Sequence, residues 1–315
     1  MRILVNYETK LNNVDKKMGV HEVKYKNVTG RIEQKENTFD VELIGDEDEV
    51  VIVLRLIWEL AFLYDGYFYK PERYVVDGKE SDVKNLYFLS YYISGKSWRE
   101  AASTLAGSDK DFSESRLLEY EQFRNKGRKC GKLLKTLINS FFYLHSDGYE
   151  RININHRLSL FLNMCDGLVS NVCGDSKNTG AKITKVLKEN LDIKLVKEGS
   201  ELLGIPKSKM YDALTNERHE IDHYIMKDGS ITEYVMKATG EAQNHINLYF
   251  VYVIELALRI AFLRQIGYVC SEELKEYALN EIYDWIILQC DFASECKNNH
   301  NKFRQELKKQ GIYMR

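Results

Sequence analysis

The segment ALTNERHEIDHY, residues 213–224, is the part of the sequence from which the rest of the chain is best interpreted. It holds two overlapping patterns: Arg218 and His223 bracket four residues, and His-Glu-x-x-His runs from His219 to His223. Apolar residues recur every three or four positions from Met210 onward, which predicts an amphipathic helix. The functional question is which of the two patterns forms a site on this helix.

The predicted helix has one buried stripe of side chains. Its members are Met210, Leu214, Glu217, Ile221, Tyr224 and Ile225. His219 and His223 project together on the far side, so they do not belong to the buried face. Arg218 projects about 140° away from His223, so on a regular helix the two side chains cannot converge on one phosphate. Either the helix is distorted there, or Arg218 of one subunit meets His223 of another, which implies a dimer.

The His-Glu-x-x-His pattern is the zinc-binding string of metallopeptidases. His219 and His223 lie one turn apart on one face, as two zinc ligands should, and Glu220 would polarise the bound water. Glu241, eighteen positions after His223, would be the third ligand. The surroundings argue against zinc, because charged side chains crowd the string and Arg218 opposes a bound cation. The zinc peptidase is therefore an alternative hypothesis.

Size and composition fit a soluble chain with two domains. The 315 residues are 44% hydrophobic, enough to fill two ordinary cores. Six cysteines without Cys-x-x-Cys pairs predict reduced thiols and a cytoplasmic protein. Two apolar runs, 50–64 and 246–266, raise the question of a membrane span, but charged residues interrupt both, which predicts core helices and no membrane association. The interrupting residues are Arg55, Glu59, Glu255, Arg259 and Arg264.

The overall charge excludes a protein-wide positive field. The formal net charge is −2, so unselective electrostatic binding of nucleic acid is not expected and any RNA contact must be local. One basic run contains no acidic residue: Arg124, Lys126, Arg128, Lys129, Lys132 and Lys135. Such a run is usually a solvated helix face. The alternative, functional interpretation is that this basic run forms a strip that contacts RNA phosphates.

Hydrophobic periodicity predicts an α+β fold that begins with a mixed α/β module, residues 1–112. Alternating apolar residues up to about residue 45 predict half-buried strands. The period then changes to that of a helix over 46–66, with Arg55 and Glu59 on the face opposite the apolar stripe. Short segments of β character follow this helix, at 67–69, 74–76 and 86–93.

The remainder, residues 113–315, has a helical pattern and is predicted to form an all-α unit. Expected helices lie at about 116–146, 153–173, 179–191, 206–226, 231–267 and 271–309. Glycine and proline near the expected ends support these boundaries.

Arg218 and His223, with a polar residue directly after the arginine, resemble the Arg-x4–6-His signature of the HEPN superfamily, a group of small helical ribonucleases. The helix over 160–168 and the long final helix over 248–266 fit the same layout. The resemblance places a HEPN-like core at about 150–268. With a β-containing module in front, the chain is similar to the ApeA-type HEPN proteins of bacterial antiphage defence.

This resemblance implies a metal-independent endoribonuclease with no cofactor, in antiphage defence or a toxin-like role. The ribose 2′-OH attacks the adjacent phosphate, which needs a base, an acid and a cation. His223 would transfer protons and Arg218 would bind the phosphate oxygens. His219 would orient the substrate or share the proton transfer, and Glu220 or Asp222 would fix an imidazole tautomer.

Arg151 and His156 also match Arg-x4-His, but Ile152 follows the arginine where the family prefers a polar residue. The expected partners are RNA, a second copy of the chain in a homodimer, and a trigger or regulatory partner at the N-terminal module. A third hypothesis is a non-catalytic HEPN-like module for sensing or dimerisation. The simplest interpretation is incidental histidines beside surface ion pairs among Glu217, Arg218, Glu220 and Asp222.

Overall fold

The computed structural model has an α+β fold, with a sheet near the N-terminus followed by helices. It describes residues 1–8, 19–35, 38–66, 69–85, 105–106, 110–125, 131–144, 154–173, 178–191, 205–223, 227–239, 244–282 and 284. The coarse fold class predicted from the sequence is confirmed.

Strands in the described residues form one antiparallel sheet of six members, in the order β2-β3-β4-β1-β5-β6. The strands are β1 (Arg2–Glu8), β2 (Gly19–Tyr25), β3 (Val28–Gln34), β4 (Thr38–Ile44), β5 (Lys70–Val76) and β6 (Lys79–Ser81). In β4, Phe39, Val41 and Leu43 are fully buried and the intervening side chains are half-exposed. The alternation in the sequence is therefore the alternation of the two sheet faces.

Helix α1 (Glu47–Asp65) ends at Gly66, whose φ of 79° is in the left-handed region that glycine adopts readily. Of the two charged residues predicted to lie opposite the apolar stripe, Glu59 is fully buried and Arg55 is half-buried. The reason is that α1 contacts the sheet on one side and the C-terminal helices on the other. A charge on its second face therefore needs a buried partner rather than water.

The remaining helices follow the predicted pattern closely. They are α2 (Glu114–Asn125), α3 (Gly131–Tyr143), α4 (Ile154–Cys173), α5 (Thr179–Asn190), α6 (Met210–His223), α7 (Ile231–Thr239), α8 (Asn244–Gln265) and α9 (272–282). The predicted helix at 116–146 is covered by α2 and α3, and the predicted helix at 231–267 by α7 and α8. Residues 126–130 and 240–243, between these pairs, lie outside the described residues, as do the expected β segment at 86–93 and the expected helix beyond residue 284.

Helix α4 lies at the centre of the helical region and packs against α3, α5, α6 and α8. Aromatic side chains from three of these helices meet in the core: the ring centroid of Phe141 is 6.0 Å from that of Phe161 and 5.1 Å from that of Phe262. Gly167 permits the close approach of α3, because a Cβ there would lie 2.8 Å from a methyl carbon of Leu137. This packing fixes which face of α4 is turned toward α6.

Buried polar contacts join α1 to the helical region. Arg259 on α8 donates hydrogen bonds to the carbonyl oxygens of Leu63 (3.1 Å) and Tyr64 (2.9 Å), near the C-terminus of α1. A cation at this position satisfies carbonyls that have no partner within the helix. The buried apolar residues on both sides of residue 112 form a single cluster.

Within the described residues, none of the helices is both long and apolar enough to cross a membrane. Three of the charged residues that interrupt the apolar runs, Glu59, Glu255 and Arg259, are buried in the core instead. Two of the six cysteines, Cys165 and Cys270, are buried free thiols, and burial raises the pKa of Cys270 to about 11.

Candidate active site

Helix α6 presents the two patterns found in the sequence. It follows a 3-10 turn, Lys207–Lys209, in which the amide of Lys209 donates to the carbonyl of Pro206 at 2.7 Å. Met210, Leu214 and Glu217 are buried as predicted, and Ile221 packs at the edge of the core. Tyr224 and Ile225, the other members of the predicted stripe, lie outside the described residues.

The candidate histidines lie on the side of α6 away from this stripe. His219 is half-exposed and His223 is exposed. The helix is α-helical without interruption from Met210 to His223, so it is not distorted between Arg218 and His223. A distorted helix therefore does not bring Arg218 and His223 together. The hypothesis that they meet between two subunits is left.

Arg218 is anchored through its ε nitrogen. Nε donates a 2.5 Å hydrogen bond to Oδ1 of Asn163 on α4 and lies 3.5 Å from Oδ2 of Asp222, one turn further along α6. No residue in the described part of the chain accepts a hydrogen bond from either Nη group. The side chain is 19% exposed, so its Nη fork is available to an anion such as a phosphate.

Asp222 is held by the same helix. The Ser159 hydroxyl donates to Oδ1 of Asp222, and Nδ2 of Asn163 lies 3.4 Å from Oδ2. Ser159 and Asn163 are one turn apart on α4, and Arg218 and Asp222 are one turn apart on α6, so the four form two facing pairs. We refer to Ser159, Asn163, Arg218 and Asp222 as the α4–α6 cluster.

The sequence interpretation included Arg218 and Asp222 as site residues but missed Ser159 and Asn163. The available signal was two polar residues four positions apart in the stretch 158–165, which is otherwise apolar. That spacing places both on one face, but it does not say which helix this face meets.

The two imidazoles lie side by side. The ring centroids of His219 and His223 are 5.6 Å apart and the rings are inclined by 25°, a stacked arrangement. The pKa of His219 is lowered from its usual value, first by partial burial and then by the positive charges of Arg218, His223 and Lys227, which Asp222 opposes. His219 is thereby favoured as a neutral imidazole, the form that accepts a proton.

Glu220 contacts the turn that follows α6. Its Oε2 accepts a 3.3 Å hydrogen bond from the backbone amide of Lys227, and the Asn216 side-chain amide donates to the carbonyl of Asp228 at 3.1 Å. The role predicted for Glu220 or Asp222 was to fix an imidazole tautomer. In the structure Glu220 contacts this turn and Asp222 contacts the other members of the α4–α6 cluster.

Glu217 corrects the interpretation of this segment as a set of surface ion pairs. It is only 1% exposed and accepts hydrogen bonds from the backbone amide (2.8 Å) and hydroxyl (2.7 Å) of Thr232 at the start of α7. Ser230 caps the same helix by accepting from the amide of Glu233 at 3.1 Å. Glu217 is therefore a buried link between α6 and α7.

The residues that the structure describes supply no third ligand for zinc. Among them, no group of three His, Cys, Asp or Glu side chains is placed to hold a metal. Glu241, the predicted third ligand, lies outside the described residues. His219 and His223 are adjacent, but the positive charges of Arg218 and Lys227 act on His219 and lower its pKa. This electrostatic environment disfavours a divalent cation.

The basic run is divided between the interior and the surface. Arg124, predicted to contact RNA, is 3% exposed; its Nη1 pairs with Glu59 and its Nη2 donates to Oδ1 of Asn139 at 2.8 Å. That prediction is wrong, because the packing of α2 against α1 turns this side chain inward. Lys135 is exposed on α3. Outside the described residues lie Lys126, Arg128, Lys129 and the side chain of Lys132.

Comparison with known proteins identifies no relative: no protein-family model, curated protein or solved structure matches the chain. The side-chain chemistry of α4 and α6 is therefore the basis for assigning a function.

Proposed function

We propose that the protein is a metal-independent endoribonuclease of the HEPN type that cleaves RNA at a site shared between two copies of the chain. The observation that carries the proposal is Arg218: its Nε is anchored by Asn163, no described residue accepts from its Nη groups, and two imidazoles lie on the same helix. A guanidinium fork and neighbouring imidazoles supply the cation, base and acid that cleavage by the 2′-OH requires. A role in antiphage defence or as a toxin is proposed from the sequence layout alone.

In the proposed reaction the Nη fork of Arg218 binds two non-bridging oxygens of the scissile phosphate. A neutral imidazole takes the proton of the ribose 2′-OH as the 2′-oxygen bonds to phosphorus. His219 suits this role because its pKa is lowered. The bond from phosphorus to the 5′-oxygen breaks, and His223 gives that oxygen a proton. The products are a 2′,3′-cyclic phosphate and a 5′-OH.

A second copy completes the site. Because α6 is a continuous helix, Arg218 and His223 of one chain leave it in different directions. A pair of chains that face each other through α4 and α6 would place Arg218 of one near His223 of the other. Leu160, next to Ser159 on α4, is 38% exposed and offers an apolar contact for such a pair.

The first test is RNA cleavage by the purified full-length chain in the presence of EDTA. We expect turnover that leaves 2′,3′-cyclic phosphate ends and is abolished by His223→Ala. His156→Ala is the matched control, since His156 is also an exposed histidine and belongs to the second Arg-x4-His pattern. We expect this variant to keep wild-type activity.

Other outcomes contradict the proposal. Activity that chelation removes, with stoichiometric zinc in the purified protein, would indicate the peptidase. Saturable RNA binding without turnover would indicate a sensing module. Loss of cleavage in His156→Ala but not in His223→Ala would move the site to the other motif.

Mixing inactive chains tests whether the site is shared. Arg218→Ala and His223→Ala chains, combined at equal concentration after subunit exchange, should regain about a quarter of wild-type activity, because half of the dimers carry one intact site of two. Each variant alone serves as the baseline. If the mixture stays at this baseline although mass spectrometry detects the mixed dimer, the site is not shared.

A further inference from the structure

Asn163 is bonded at both ends of its side-chain amide. Its Oδ1 accepts from Nε of Arg218 at 2.5 Å, and its Nδ2 lies 3.4 Å from both Oδ2 of Asp222 and Oγ of Ser159. The guanidinium requires an acceptor and the carboxylate requires a donor, so the amide has one satisfactory orientation. Asn163 on α4 therefore links the cation Arg218 to the carboxylate of Asp222, both of which lie on α6.

The plane of a guanidinium is set by the bond at Nε. An arginine side chain is long and flexible, and its two Nη groups lie in the plane that contains Nε. Asp222 is too distant to fix this plane alone, since its nearest oxygen is 3.5 Å from Nε. The shorter contact from Asn163 decides where the open Nη fork points.

Ser159 holds Asp222, the carboxylate of the α4–α6 cluster. Its side chain is only 3% exposed, and it donates to Asp222 from the buried face of α4. A buried hydroxyl is costly unless it is hydrogen-bonded. Ser159 therefore restrains Asp222, and the carboxylate in turn lies within reach of Arg218.

We infer that Asn163 is a positioning residue that fixes the guanidinium plane of Arg218, with Ser159 holding Asp222 in the same network. Asn163 is half-buried and its polar atoms are engaged with Arg218, Asp222 and Ser159, so it acts through Arg218 and does not touch the reacting atoms. The catalytic consequence rests on the proposed function, whereas the orientation of Arg218 is measurable without it.

The orientation is tested by solvent exchange of the arginine Nε proton in transverse-relaxation-optimised NMR spectra. Arg218→Lys identifies the Arg218 signal by its disappearance. We expect slow exchange in the wild-type protein but the fast exchange of an exposed arginine in Asn163→Leu. An unchanged Arg218 signal in Asn163→Leu overturns the inference.

Kinetics provide the second measurement. Asn163→Leu should lower kcat/KM for RNA cleavage by about 100-fold through misplacement of Arg218. The pH profile should keep its shape, because both imidazoles and the positive charge of Arg218 are retained. Asn171→Leu is the matched control: Asn171 lies two turns further along α4, is half-buried, and donates to the carbonyl of Gly167 at 2.7 Å within its own helix.

The two failures are distinguishable. If the wild-type chain cleaves no RNA, the proposed function fails and the exchange measurement still decides the role of Asn163. If it cleaves RNA and Asn163→Leu is no slower than Asn171→Leu, the positioning role is refuted while the ribonuclease stands. Circular dichroism melting of both variants shows that a loss reflects orientation rather than unfolding.

Discussion

Arg124 and Arg218 have similar partners but are held in opposite ways. Arg124 lies on α2 at 3% exposure, with one Nη group on Glu59 and the other on Asn139. Arg218 lies on α6 at 19% exposure and is held through Nε, and its Nη groups have no acceptor among the residues that the structure describes. An arginine whose fork is already occupied ties helices together, whereas one anchored behind its fork can bind an anion.

The largest effect is expected when the buried arginine, Arg124, is replaced. Arg124→Met should lower the free energy of unfolding by about 3–5 kcal/mol, because Glu59 would be left as an unpaired buried charge. Urea denaturation measures the change. The double variant Arg124→Met/Glu59→Met should recover most of the loss, since it removes both charges together. A loss below about 1 kcal/mol in the single variant would contradict a structural role for Arg124.

Arg218→Lys should affect catalysis rather than folding. Lysine keeps the positive charge but cannot present a planar fork, so we expect kcat/KM for RNA to fall by about 100-fold. The free energy of unfolding should change by less than about 1 kcal/mol, because the side chain is partly exposed and its ion pair with Asp222 is long. A variant with full activity would show that the fork geometry is dispensable.

The titration of His219 sharpens the comparison further. Arg218→Met removes one of the positive charges that lower the pKa of His219, so this pKa should rise toward its usual value of about 6.5. Burial, the largest cause, remains, so the return should be partial. The acid limb of the RNA cleavage profile should move to higher pH in whatever activity survives. NMR titration of the imidazole, assigned with His219→Gln, measures the shift; Arg124→Met should leave it in place.

The smallest expected effect concerns Lys135, a member of the basic run that the structure describes at the surface. Lys135 is exposed, so Lys135→Ala should weaken RNA binding modestly and reduce the slope of log affinity against log salt by about 1. Fluorescence anisotropy at several salt concentrations measures both quantities. Lys24→Ala, an exposed lysine on β2, is the control and should leave the slope unchanged. Equal effects of the two substitutions would contradict the hypothesis that the basic run contacts RNA phosphates.

Local periodicity predicted the elements that position the candidate site. The burial of Met210, Leu214 and Glu217 and the placement of His219 and His223 on the other side of α6 follow from side-chain spacing. These features depend on neighbours within the same helix. Spacing along the sequence is enough to specify them.

Burial of charge was predicted less well. Glu59 and Arg124 have the sequence context of solvent-facing residues, but α1 is covered on both sides and α2 packs against it. A pair of opposite charges from distant parts of the chain satisfies each other in the core. Hydrophobic patterns do not reveal such pairs, since each member alone resembles a surface residue.

The sequence by itself determined the α+β class, the helices and the candidate residues Arg218, His219 and His223, because these follow from local periodicity and residue chemistry. Only the tertiary structure decided that Arg218 meets Asn163 of α4 and that Arg124 is interior. The physical reason is that a hydrogen bond or ion pair between helices depends on which faces pack together. That choice is made by the whole core, not by the spacing of residues within one helix.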